Sequence, residues 1–204
     1  VRLLQDDIGD TFNPLAGSDR VVAGSGNDTI NGFVGADTID GGAGIDRLVI
    51  TSTQEASGLL DANNDQLQNV EIIDISANNS ISLNLDKQDD GFTVIGVNGI
   101  YSIIGSSGND IITTGVTTSN RSDTISGGDG NDSIASGTGN DIIVGFIGAD
   151  TVDGGAGTAD RLQLTSTPNA SGLDSAVDSQ LFNVEIIDAT SAVGNQWLKT
   201  PHMD

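Results

Sequence analysis

The sequence has no cysteine, a single histidine and few aromatic residues. Among its 204 residues are no Cys, one His at position 202, and only 3% Phe, Trp and Tyr. Without cysteine there can be no disulfide and no thiolate-bound metal, and one histidine is too few for a typical zinc centre. That histidine lies almost at the end of the chain, which disfavours a Ser-His-Asp triad. The scarcity of aromatic rings disfavours a carbohydrate-binding module.

Basic residues are also scarce. The chain has 7 Lys and Arg against 29 Asp and Glu, which gives a net charge of -22. Such a surface repels nucleic acids and anionic membranes, and no apolar run approaches the roughly 18 residues that a membrane helix requires. We therefore expect no nucleic-acid partner, no membrane insertion and an affinity for cations. A disordered acidic linker is the alternative, but the 36% of hydrophobic residues recur at regular positions.

Glycine and aspartate recur every nine residues in two arrays. The unit is Gly-x-Gly-x-Asp-x-aliphatic-x-x, and a repeat of this kind predicts a solenoid. The aspartates of the first array are Asp19, Asp28, Asp37 and Asp46. Those of the second array are Asp110, Asp123, Asp132, Asp141, Asp150 and Asp160. Four extra residues at 115–120 and one near position 158 interrupt the second array, beside its first and last aspartates.

The spacing predicts an all-β parallel solenoid that binds calcium between its turns. If two units make one turn, residues eighteen apart stack, so that Asp28 faces Asp46 and Asp132 faces Asp150. Calcium takes six to eight oxygens from carboxylates and backbone carbonyls, and two stacked loops supply enough. We expect several ions, roughly six, to offset the repulsion between stacked carboxylates. The glycines predicted to shape these sites are Gly24, Gly26, Gly35, Gly42, Gly44, Gly128, Gly130, Gly137, Gly139, Gly148, Gly155 and Gly157.

The chain is a tandem duplication of an array followed by a β-rich segment. Residues 32–44 return almost unchanged at 145–157, and Asn-Val-Glu-Ile-Ile-Asp at 69–74 returns identically at 183–188. We predict a first unit at 1–104, with its array at about 15–50 and its β-rich segment at 51–104. The second unit is 105–194, with its array at 105–164 and its segment at 165–194, and a tail follows at 195–204.

The segments between the arrays carry a weaker pattern. Residues 81–85 alternate apolar and polar side chains, which indicates a half-buried strand, and 70–75 and 92–97 are also rich in β-formers. We expect these segments to continue the solenoid with longer, irregular turns. A small β-sandwich between two solenoids is the alternative, and a short helix is predicted at 54–60 or 65–68.

The repeats resemble those of the RTX, or haemolysin-type, calcium-binding family. The best matches are Gly-Gly-Ala-Gly-Ile-Asp at 41–46, Gly-Gly-Asp-Gly-Asn-Asp at 127–132 and Gly-Gly-Ala-Gly at 154–157. The resemblance implies a right-handed parallel β-roll, calcium between the turns and secretion by a type I exporter. The chain departs from the family pattern at Phe33 and Phe146, which replace the first glycine of a loop.

These observations predict a non-catalytic, calcium-binding structural module of a larger secreted or cell-surface bacterial protein, of the S-layer or adhesin kind. The alternative is an accessory module that assists the folding and export of a secreted enzyme or toxin. The repeat accounts for every aspartate of the arrays, so no acid–base pair of the glycosidase type is indicated. Threonines form no regular ranks, which disfavours an ice-binding face. Open solenoid ends also allow self-association or contact with neighbouring domains of a longer chain.

Overall fold

The computed structural model describes residues 9–14, 16–34, 36–60, 62–76, 80–115, 121–165, 173, 176–177 and 179–190. One predicted site residue, Gly35, and the predicted tail at 195–204 lie outside these residues. The described part of the chain contains no helix of the length and hydrophobicity that crossing a membrane requires.

The described residues form short β-strands and one short helix, which confirms the predicted fold class. Most strands contain only three or four residues, because each nonapeptide devotes about three residues to a strand and the others to a loop. In chain order the elements are β1 (Thr11–Phe12), β2 (Arg20–Val22), β3 (Thr29–Asn31), β4 (Thr38–Asp40), β5 (Arg47–Ile50), α1 (Thr53–Leu59), β6 (Leu67–Gln68), β7 (Ile72–Ile75), β8 (Ser80–Asn84), β9 (Thr93–Gly96), β10 (Ile100–Ile104), β11 (Ile111–Thr113), β12 (Thr124–Ser126), β13 (Ser133–Ala135), β14 (Ile142–Val144), β15 (Thr151–Asp153), β16 (Arg161–Gln163), β17 (Leu181–Phe182) and β18 (Ile186–Asp188).

All paired strands are parallel, and the chain alternates between two faces of a solenoid. One face is a nine-stranded sheet in the order β1-β3-β5-β7-β9-β11-β13-β15-β17. The other face is divided into a three-stranded sheet, β2-β4-β6, and a six-stranded sheet, β8-β10-β12-β14-β16-β18. Except between β6 and β8, each strand pairs with the strand one full turn later, so sequence neighbours lie on opposite faces.

The interior consists mainly of stacked aliphatic side chains contributed by successive strands. In the nine-stranded sheet, Ile30 pairs with Leu48 and Ile134 pairs with Val152, and all four are buried. Across the molecule, Ile125, Ile143 and Leu162 form the matching stack. Each fully buried side chain of this size contributes about 1.5–3 kcal/mol. This inward position is the aliphatic residue of the nonapeptide, so the repeat itself builds the core.

The segment between the arrays continues the same solenoid, so the alternative of a separate β-sandwich is wrong. Strands β7 and β9 carry the nine-stranded sheet without a break from β5 to β11. Their inward residues, Ile73 and Val94, are fully buried in the stack. The opposite face is the one that is interrupted, since β6 does not pair with β8.

Helix α1 confirms one of the two short helices predicted from the sequence. It begins with a capping box, in which Glu55 N donates to Ser52 Oγ at 3.3 Å and Ser52 N donates to Glu55 Oε2 at 3.0 Å. The helix buries Ala56 and Leu59. The alternative helix at 65–68 is wrong, because Leu67 is buried in strand β6, where it pairs with the strand one turn earlier.

Candidate metal centre

The aspartates of the arrays form rows in which each carboxylate bonds to the turn before it. The backbone N–H of Asp28 donates to Oδ1 of Asp46 at 2.7 Å, a separation of 18 residues. The same bond recurs along the solenoid and confirms every stacked pair that the spacing predicted. The other pairs are Asp19 with Asp37, Asp123 with Asp141, Asp132 with Asp150, and Asp141 with Asp160.

The insertions in the second array do not break the rows. Asp110 N donates to Asp132 Oδ1 at 2.9 Å although 22 residues separate them. Asp141 N reaches Asp160 Oδ1 at 2.7 Å across 19 residues. The two aspartates beside the insertions, Asp110 and Asp160, therefore occupy regular positions in the rows.

Each of two rows ends on a glutamate that the sequence analysis did not include among the site residues. Asp46 N donates to Glu71 Oε2 at 2.7 Å, and Asp160 N donates to Glu185 Oε2 at 2.8 Å. Both glutamates belong to the duplicated Asn-Val-Glu-Ile-Ile-Asp. The exact repetition of this motif is the one feature of the sequence that marks these glutamates. The nonapeptide spacing does not place them beside the row aspartates.

The second carboxylate oxygen of several row aspartates is buried without a partner. These atoms are Oδ2 of Asp28, Asp46, Asp132, Asp141 and Asp160. In contrast, Asp37 and Asp150 use Oδ2 to accept a backbone N–H from their own loops, at 2.8 and 2.7 Å. A buried carboxylate oxygen without a partner is costly, and a bound cation would satisfy it.

The loop glycines bring backbone carbonyls of successive turns into close approach. A Cβ atom on Gly42 would collide with the carbonyl oxygen of Gly24, and one on Gly44 with that of Gly26. Both glycines also have positive φ, +97° at Gly42 and +143° at Gly44, a conformation that favours glycine. The other predicted site glycines with positive φ are Gly24, Gly26, Gly128, Gly130, Gly137, Gly139, Gly148 and Gly155. Gly157 packs against the carbonyl of Gly139 in the same manner.

Burial raises the pKa values of seven row aspartates, and repulsion from neighbouring carboxylates adds to the effect at some of them. Burial, and after it the negative charges of Asp150 and Asp110, raise the pKa of Asp132 to about 7 despite the hydrogen bond from a backbone amide. Burial and the charges of Asp123 and Asp160 raise the pKa of Asp141 to about 6. The pKa is also raised, chiefly by burial, at Asp46, Asp110, Asp123, Asp150 and Asp160. A positive charge between the turns would reverse this destabilisation.

The donor atoms of these loops suit a hard cation that accepts many oxygens. Within the described residues, no group of three or more His, Asp or Glu side chains gathers at one point. An ion would therefore draw on the carboxylates of two successive turns and take its remaining ligands from backbone carbonyls. Calcium accepts six to eight such oxygens in a flexible geometry, whereas magnesium demands a strict octahedron. The residues present fit calcium.

Comparison with known families agrees with this geometry. The family described as RTX calcium-binding nonapeptide repeat (4 copies) matches residues 15–48, 96–116, 117–145 and 126–158. These segments are RTX calcium-binding repeats. They span just under half of the chain and contain all the array aspartates except Asp160. No curated protein and no solved structure was found to match the chain. The RTX solenoid is a structural calcium-binding fold and not a catalytic one.

Without calcium, acid pH is expected to favour the folded solenoid. The pKa values of Asp132 and Asp141 rise from 3.8 to about 7 and about 6 on folding. Between pH 3.8 and its raised pKa, each of these aspartates binds more protons in the folded state than in the unfolded state. The free energy of unfolding therefore falls as pH rises, by about 1.4 kcal/mol per pH unit for each group. Far-UV circular dichroism in chelator should show more β structure at about pH 5 than at about pH 7.5. Equal spectra at the two pH values would contradict the raised pKa values.

Proposed function

We propose that this chain is a calcium-dependent structural module that folds when it binds calcium. The observation that carries the proposal is the stacking of buried carboxylates at one-turn intervals, five of them with an oxygen that lacks a partner. Such rows are stable only when their charge is neutralised. Metal affinity therefore contributes directly to the free energy of folding.

The surroundings of the protein would then control its shape. Extracellular calcium modules bind with Kd values of about 10⁻⁴–10⁻³ M, close to the calcium concentration outside cells. With a net charge of -22, the chain remains expanded where calcium is scarce. Outside the cell the turns stack and the solenoid stiffens.

This behaviour suits a spacer within a secreted or cell-surface protein of the adhesin or S-layer kind. It also suits an accessory module exported together with an enzyme or toxin, in which catalysis belongs to another domain. The role of this chain is the same in both settings: it is expanded where calcium is scarce and folds into a rigid solenoid where calcium is abundant. The first setting is our proposal, since the row aspartates and loop glycines all serve the solenoid itself.

A calcium titration followed by far-UV circular dichroism tests the proposed function. Starting in chelator at neutral pH, the coil spectrum should convert to a β spectrum near millimolar calcium and return when chelator is restored. The same concentrations of magnesium should produce little β structure, because magnesium demands a near-ideal octahedron and gives up its water ligands reluctantly. A β spectrum that is identical with and without calcium, in protein shown to be metal-free by elemental analysis, would refute metal-dependent folding.

A further inference from the structure

The two copies of Asn-Val-Glu-Ile-Ile-Asp make the same contacts at the ends of the two arrays. The glutamates Glu71 and Glu185 accept the backbone N–H of Asp46 and Asp160, at 2.7 and 2.8 Å. Two residues before each glutamate, an asparagine bonds through Nδ2 to Oδ1 of an aspartate on the strand one turn earlier, at 2.7 Å in both copies. The same arrangement is therefore present at the end of both arrays.

Each glutamate occupies the place of the next aspartate in its row. Within the row, Asp28 N donates to an Asp46 carboxylate oxygen at 2.7 Å, and Asp46 N donates to a Glu71 carboxylate oxygen at the same distance. The separation is 25 residues for the glutamate instead of 18, since the last turn contains additional residues. The carboxylate nevertheless continues the row.

The aspartate before each glutamate carries a buried oxygen that lacks a partner. Oδ2 of Asp46 and Oδ2 of Asp160 both lack a hydrogen bond, and both side chains are 0% exposed. The other aspartates with an unpartnered Oδ2 are Asp28, Asp132 and Asp141, and each faces another aspartate in the next turn. Asp46 and Asp160 instead face a glutamate, so a cation held between these two turns would be shared with that glutamate.

A backbone carbonyl reaches the same place in each copy. A Cβ atom on Gly41 would lie 2.6 Å from Asp46 Oδ2 and would collide with the carbonyl oxygen of Asn69. The equivalent Gly154 packs against the carbonyl oxygen of Asn183. The two asparagines have φ of +51° and +49°, a left-handed conformation that asparagine tolerates and that sets the direction of its carbonyl.

We propose that Glu71 and Glu185 each complete one additional calcium site at the end of an array. The first site would combine the carboxylates of Asp46 and Glu71 with the carbonyl of Asn69. The second would combine those of Asp160 and Glu185 with the carbonyl of Asn183. Both glutamates lie outside the segments that match the RTX repeat. This inference rests on the proposed calcium binding and extends it to residues that the nonapeptide does not contain.

The final aspartate of each motif provides a matched control. Asp74 Oδ2 pairs with Arg47 Nη1 at 2.5 Å, and Asp188 Oδ2 pairs with Arg161 Nη1 at 2.8 Å. These ion pairs join adjacent strands, and neither carboxylate accepts the N–H of a row aspartate. Replacing these aspartates removes the same charge from the same motif without removing the proposed ligand.

The test counts calcium ions on the full chain by native mass spectrometry, with affinities from isothermal titration calorimetry. Glutamine can still accept the N–H of the row aspartate but lacks the charge. We expect Glu71→Gln and Glu185→Gln each to lose one ion or to weaken one site at least tenfold, and the double variant to lose two. The double variant Asp74→Asn/Asp188→Asn should keep the wild-type count. An unchanged count and affinities within twofold for the double glutamine variant would overturn the inference.

A second measurement needs no variant, because the chain has only three glutamates, Glu55, Glu71 and Glu185. Glutamate labelled with ¹³C at the carboxyl group gives three NMR signals. When strontium replaces calcium in the folded protein, two signals should move while that of Glu55, which caps α1, stays in place. Three unmoved signals would refute the additional sites. Wild-type protein that binds no calcium at all would instead refute the proposed function.

Discussion

Asp132→Asn is expected to weaken the calcium-loaded solenoid and to strengthen the calcium-free one. Asp132 stands in the middle of a row, between Asp110 and Asp150, and one of its oxygens is buried without a partner. With calcium bound, the variant lacks a buried ionic ligand, and a loss of about 3–5 kcal/mol is typical for breaking such an interaction. Without calcium, the variant removes a buried charge and its repulsion, which should stabilise the fold by about 1–2 kcal/mol.

The matched control is Asp129→Asn in the same loop. Asp129 is exposed, whereas Asp132 is 2% exposed. Urea unfolding in saturating calcium measures the first effect, and folding induced by trimethylamine oxide in chelator measures the second. The variant should need less of this osmolyte than the wild type, and the control should match the wild type in both assays. Effects of the same sign in the two conditions would argue against a metal between the turns.

Gly44→Ala is expected to destabilise the first array strongly. A methyl group there would collide with the carbonyl oxygen of Gly26 and lie 3.0 Å from Oδ1 of Asn27. Since φ is +143°, alanine also strains the backbone, at a cost of about 1–3 kcal/mol. The two effects together predict a loss of about 4 kcal/mol or more in saturating calcium. The calcium needed for half-folding should rise by at least tenfold.

Gly17→Ala separates backbone strain from collision. Gly17 has a similar φ of +134°, but a Cβ atom there would meet nothing within 4 Å. Alanine at this position should therefore cost only the strain, about 1–2 kcal/mol. Urea unfolding of the two variants in the same calcium buffer makes the comparison. If both variants lost equal stability, the close stacking of successive loops would not contribute to the fold.

The nonapeptide spacing was sufficient to predict how the rows are paired. An inward aliphatic residue every nine positions allows only one register, because a shift by one residue would expose the whole stack. That constraint places Asp28 beside Asp46 and Asp132 beside Asp150, and the hydrogen bonds that join each pair confirm it.

Phe33 and Phe146 depart from the glycine pattern of the loops. Both side chains are fully buried in the core, which explains why the fold tolerates them.

The same spacing could not predict on which face of the solenoid the equivalent strands of the two copies would lie. Strand β4 lies in the three-stranded sheet, whereas its duplicate, β15, lies in the nine-stranded sheet on the other face. The duplicated unit contains an odd number of half-turns, so equivalent residues face opposite sides. The proposed sites at Glu71 and Glu185 consequently lie on opposite faces of the solenoid, at different heights along it.

The sequence by itself determined the solenoid, its core positions and the pairing of aspartates, because a short repeat leaves few ways to bury one aliphatic stripe. Only the tertiary structure decided that the segment between the arrays continues the nine-stranded sheet and that glutamates end two of the rows. Those features depend on contacts between residues 25 or more apart, such as Asp46 with Glu71 and Arg47 with Asp74. The turns that make these contacts differ in length from the repeat, so no local period specifies them.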